Sequence, residues 1–86
     1  MRILICEENI RIREEFRNIF TQMGSPIRII EAGNACHALE ILKNEPIDVV
    51  FLNIWLPENG VADLPDLIAK NWPSTKVLYL ERELIY

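Results

Sequence analysis

Four short apolar runs alternate along the chain with stretches whose apolar residues recur every three or four positions. Arg2 to Cys6 (RILIC) is continuous and β-branched, the pattern of a strand covered on both faces. Asn9 then offers a side-chain oxygen to cap a helix running through about Met23, with Ile12, Phe16, Ile19, Phe20 and Met23 on one stripe. Arg11, Arg13, Glu14, Arg17 and Asn18 take its wet side. GSP stops that helix, and IRIIEA (27–32) reads as a second strand. Asn34 starts another helix, with Ala35, Ala38, Leu39 and Leu42 in line, until NEP breaks it before DVVFLN, the third and most hydrophobic strand. After PENG, Asp63 is placed to cap a third helix whose buried face is Leu64, Leu67, Ile68 and Trp72. Pro65 is tolerated there because its missing N–H falls in the first turn. PST leads into KVLYL (76–80), a fourth strand, and ERELIY is too short to classify.

Strands alternating with helices over short connections predict right-handed βαβ units on a parallel sheet. Residues 1–86 read as one domain, close to the lower size at which a core forms without staples. Half the residues are apolar, which favours folding over disorder. Nine basic against thirteen acidic residues give a net charge of −4 with no basic block, which argues against direct nucleic-acid binding. No apolar run is long enough to span a bilayer, and MRILIC enters an acidic pair without a signal-peptide core, so a cytoplasmic protein is expected. Cys6 and Cys36 have no metal-ligand spacing and read as reduced, small apolar packers. His37, the single histidine, reads as a solvated helix residue.

Four pieces in this order resemble the receiver domain of response regulators. They are an apolar strand ending in an acidic pair (ILICEEN), a helix-opening segment (AGNACHALEIL), a strand end followed by Pro (LNIWLP), and an aromatic-Pro pair leading into a strand (NWPSTKVLYLE). The resemblance implies an α/β, flavodoxin-like doubly wound parallel sheet, here truncated to about four strands in order 2-1-3-4 with three helices. It also implies where a site would lie, at the carboxyl ends of strands one and three. The acidic pair that holds Mg²⁺ in the family falls on Glu7 and Glu8. The phosphorylated aspartate falls on Asn53, and the hydroxyl residue that contacts the phosphoryl group falls on Glu81. The family's lysine on a fifth strand has no counterpart.

Each departure has a chemical consequence. Phosphoryl transfer needs a nucleophilic carboxylate held in line beside Mg²⁺, and the amide of Asn53 is a poor nucleophile. An ionised Glu81 offers acceptors where a donor to phosphate is required. The resulting expectation is a pocket that kept its shape and lost its chemistry: no catalytic residue and no required cofactor. Glu7, Glu8 and Glu81 are expected to converge near Asn53 and then either splay into solvent, take up a proton, or be neutralised by a partner's Arg or Lys or by a divalent cation. In that last case Glu7, Glu8, the Asn53 carbonyl oxygen and the Trp55 backbone carbonyl are the candidate Mg²⁺ ligands.

Trp55 reads either as packing over the third helix or as a partner-facing anchor. Ile10 and Arg13 on the first helix are candidate contacts, because that helix helps dock the histidine-kinase phosphotransfer domain in the resembled family. The chain stops before the family's later elements, so the fourth strand is expected to be an open edge. Self-association through Val77 to Leu80, Tyr79 included, through the tail residues Leu84, Ile85 and Tyr86, or both, follows as an expectation; the competing one is a longer chain whose remainder covers the face. The favoured reading is a phosphorylation-independent protein-interaction module in two-component signalling, not an enzyme, whose partner is a histidine kinase or another regulator. The alternatives are a small acidic-site metal protein with phosphate-ester chemistry, and a receiver inactivated by an engineered replacement of its aspartate.

Overall fold

The computed structural model describes residues 1–24 and 26–80. Its elements follow the chain as β1 (Arg2–Cys6), α1 (Ile10–Gln22), β2 (Arg28–Ala32), α2 (Ala35–Asn44), β3 (Val49–Asn53), α3 (Leu64–Asn71) and β4 (Lys76–Leu80). The four strands are parallel, in the order β2-β1-β3-β4. The parallel sheet is the one expected from the strand–helix alternation, and its flavodoxin-like strand order is the one the resemblance implies.

Local chemistry accounts for most boundaries. The Asn9 side chain accepts a hydrogen bond from the Arg11 backbone N–H at 2.9 Å, and the Asn34 side chain accepts one from the His37 N–H at 2.8 Å. Each removes one of the orphan donors of a helix start. Asp63 behaves differently. It sits in the left-handed region (φ 54°, ψ 53°), makes no side-chain capping bond, and contributes only its backbone carbonyl, which accepts from the Leu67 N–H. The expected cap is therefore a backbone one, because the left-handed turn does not bring the carboxylate to the helix start. Pro65 lies in the first turn, as its chemistry requires.

Alternation along the strands divides the sheet into two unlike faces. Leu4, Cys6, Ala32, Val50 and Leu52 are buried beneath α2 and α3, whose Ala35, Ala38, Leu42, Leu64 and Ile68 complete one apolar cluster. Trp72 and Val77 pack against its margin. The opposite face carries Ile3 and Ile5, both buried, and Phe51, under α1. The rings of Phe16 and Phe20 meet Phe51 at centroid separations of 5.8 and 5.5 Å. None of the α1 residues is fully buried, and Ile19 and Met23, both read as part of its apolar stripe, are 58% and 59% exposed. Among the described residues α1 is the one helix on this face, and the outer part of its stripe stays wet. Cys36 likewise departs from its reading as a packer: it is exposed, on the outer side of α2, whereas Cys6 is buried.

Candidate functional site

β1 and β3 are adjacent and parallel, with Cys6 beside Leu52, so the chain leaves both at the same end of the sheet. That register sets Glu7 and Asn53 together. Both are buried, at 2% and 5% exposure. The Asn53 Nδ2 donates to Glu7 Oε1 at 2.6 Å, and the Asn9 backbone N–H donates to Glu7 Oε2 at 2.8 Å. The Trp55 backbone N–H donates to Asn53 Oδ1 at 2.8 Å. Only one orientation of the amide satisfies both of its partners, since Nδ2 must face the carboxylate and Oδ1 the N–H. An aspartate in the same place could accept from Trp55 but would turn a second carboxylate oxygen, not a donor, towards Glu7.

Of the three acids expected to gather here, two are described. Glu7 turns inward onto two donors, while Glu8 is exposed. Glu81 lies outside the described residues. The proposed ligand set Glu7, Glu8, Asn53 and Trp55 does not fit Mg²⁺ in this arrangement. Both Glu7 oxygens and both polar atoms of Asn53 are engaged by protein partners, and the Asn53 Nδ2 turns a donor inward. Among the described residues no three of His, Cys, Asp or Glu stand close enough to share a metal.

Arg13, read as a wet-side residue and candidate contact, belongs instead to the frame of the site. Its Nη1 donates to the backbone carbonyls of Glu7 (2.6 Å) and Glu8 (3.3 Å), and its Nε donates to Glu31 Oε1 (3.0 Å). Its side chain is only 17% exposed. Arg17 holds the other Glu31 oxygen through Nε at 3.0 Å and Nη2 at 2.5 Å. Burial alone would raise the Glu31 pKa, but hydrogen bonds and charge from Arg17 and Arg13 outweigh it and hold the carboxyl below its ordinary value. Gly33 passes so close that a Cβ there would stand 3.3 Å from Arg13 Nη1. The arginine joins α1 to the turn after β1 and to β2, and its contact with Glu31, eighteen residues away, is one that no local spacing announces.

The remaining candidates are spread over the surface. Trp55 is 77% exposed, so it does not pack over α3, and Ile10 is 58% exposed. Tyr79 is 53% exposed, whereas Val77 is partly buried against the core. Leu84, Ile85 and Tyr86 lie outside the described residues. His37 is exposed, as expected. Beside the site, an open pocket of about 190 Å³ lies between the end of β3, the loop that follows it, the start of α3 and Tyr79. Its presence could not be read from the sequence, because it depends on where the 54–63 loop settles.

A family model described as the response regulator receiver domain matches residues 3–83. Comparison with curated proteins finds no match. Among solved structures, the MaeR response regulator bound to beryllium trifluoride is 21% identical with a TM-score of 0.83, over 98% of this chain and 70% of that one. RcsB from Salmonella enterica serovar Typhimurium, bound to promoter rprA in the presence of phosphomimetic BeF3−, is 16% identical with a TM-score of 0.83, over 92% of this chain and 41% of that one. The signal receiver domain of an HD domain-containing protein from Pseudomonas fluorescens Pf-5 is 23% identical with a TM-score of 0.77, over 96% and 66%. At these identities the likeness is one of fold, and the chain spans between 41% and 70% of the length of these three structures.

Proposed function

This chain belongs to the response regulator receiver domain family, and from that premise we propose that it is a receiver-like module that signals by contact and accepts no phosphoryl group at Asn53. The observation that carries the reading is the Asn53–Glu7 hydrogen bond of 2.6 Å. The residue at the strand end is an amide, and its nitrogen is committed to the carboxylate beside it. An attacking carboxylate oxygen is therefore absent, and the neighbouring acid is engaged by two donors. Receiver domains bind Mg²⁺ at an acidic site. Here the corresponding side chains satisfy one another, so the module requires no cofactor and catalyses nothing.

Its partner is a protein in a two-component pathway, a histidine kinase or another regulator, met in the cytoplasm through the exposed loop over β3 or the outer face of α1. None of the described helices is long and apolar enough to cross a membrane. The negative net charge disfavours direct contact with nucleic acid. β4 pairs only with β3 among the described residues, and its half-exposed Leu78 and Tyr79 favour self-association along that edge.

Incubation with acetyl phosphate and Mg²⁺, read by intact mass, tests the central claim. The expected spectrum shows the unmodified chain alone, and a phosphoryl adduct overturns the reading. Sedimentation at micromolar concentration is expected to give a dimer, and a stable monomer would remove self-association.

A further inference from the structure

The pocket beside β3 has a composition suited to one kind of occupant. Leu52, Leu56, Val61 and Leu64 supply apolar wall, and Tyr79 closes one side. Glu58 and Asp63 also line it, and no basic residue does. The nearest basic side chain along α3, Lys70, is held by Asp66 at 3.0 Å. Asp63 is the residue whose left-handed backbone leaves its carboxylate without a capping role. At about 190 Å³ the space is of the order of one large side chain, too small for a helix and too open to be a packing defect. Trp55 and Ile54, at 77% and 55% exposure, extend the apolar surface beyond its mouth.

We propose that this pocket is the docking point for a partner polypeptide that inserts one apolar side chain and places an arginine or lysine against Glu58 and Asp63. The inference rests on the contact-module reading and specifies its partner. An apolar anchor gains from leaving water in a preformed recess, and flanking exposed aromatics are the commonest source of binding energy at such places. The two acidic lining residues select the sign of the neighbouring charge and reject an acidic segment, which would meet two like charges, although Asp63 also acts on Lys70. Tyr79 adds a ring face for the cationic head. A phosphorylated or acidic motif is the wrong chemistry for this rim.

The probes are three capped dipeptides, Ac-Phe-Arg-NH2, Ac-Phe-Glu-NH2 and Ac-Gly-Arg-NH2, titrated into the ¹⁵N-labelled chain at millimolar concentration. Ac-Phe-Arg-NH2 is expected to shift the signals of Leu56, Val61, Leu64 and Tyr79, with the other two binding about tenfold more weakly or not at all. The double variant Glu58→Gln, Asp63→Asn keeps the side-chain shapes and an asparagine tolerates the left-handed backbone, so it should fold. It is expected to bind Ac-Phe-Arg-NH2 about tenfold more weakly. Absence of shifts at the lining residues, equal binding of Ac-Phe-Glu-NH2, or unchanged affinity in the double variant overturns the proposal. Failure here with no phosphoryl adduct in the mass measurement would leave the contact reading in place and move the docking point elsewhere. A phosphoryl adduct would count against the contact reading whatever the pocket binds.

Discussion

The two faces of the sheet are held by different physics. Beneath α2 and α3 the contacts are apolar and dry, from Leu4 and Val50 to Ile68, each inaccessible to solvent. Beneath α1, among the described residues, only Ile3 and Ile5 are sealed, three phenylalanine rings pack together, and polar bonds from Arg13 and Arg17 tie the helix to Glu31 and to the Glu7 carbonyl just past β1. A closed apolar face resists change through packing density. A half-open face depends on a few directional bonds, and those same bonds set the position of Glu7. Stability and site geometry are therefore separable: the first resides mainly under α2 and α3, the second under α1.

Ile68→Ala gives the largest test of that separation. A cavity at a fully buried position should cost about 3–4 kcal/mol in urea unfolding. Asn53→Asp comes next, because it replaces a donor with a carboxylate 2.6 Å from Glu7 in a buried setting, and should cost about 2–3 kcal/mol near neutral pH. A smaller loss, equal stability or a gain would show that the amide is not what holds Glu7. Arg13→Ala should cost about 1–2 kcal/mol and, more tellingly, move the Glu7, Glu8 and Asn53 amide signals while leaving those of Ile68 in place. Shifts spread evenly over both faces would break the comparison.

Acid sharpens it further. The folded-state pKa of Glu31 is depressed, so its contribution is complete above the ordinary carboxylate range, about 4.3, and is lost as the pH falls through the lower folded value. The urea midpoint should decline as the pH falls from about 5 to about 3, and Glu31→Gln should flatten part of that decline. At the small end, Ile19→Ser on the exposed part of α1 should change stability by under about 0.5 kcal/mol. The cysteines supply a chemical counterpart. Burial pushes the Cys6 thiol up to about 12, so iodoacetamide at pH 8 should label exposed Cys36 and spare Cys6 until urea is added.

The sheet was legible because its signals are local and redundant. Continuous β-branched runs, two asparagine caps and a proline in a first turn all agree with the observed elements. The sequence also placed Glu7 and Asn53 together through the resemblance, and the register of β1 on β3 bears out that proximity. What it missed has a common cause. Whether Met23 or Ile19 is covered depends on how many helices share a face, and whether Arg13 is free depends on Glu31, eighteen residues away. The inward turn of Glu7 depends in part on a donor from Asn53, forty-six residues away. Periodicity identifies a side that prefers burial but not what arrives to bury it.

Gly33 gives the α1 frame an unsuspected weak point. A methyl group at that position would press on the guanidinium that grips the Glu7 carbonyl, so residue 33 acts on the buried pair through Arg13. Variation at 33 and at 13 is thus mechanically coupled: a bulkier residue at the first is tolerable only with a shorter or displaced side chain at the second. A designer wishing to retune the strand-end carboxylate without touching it would begin there.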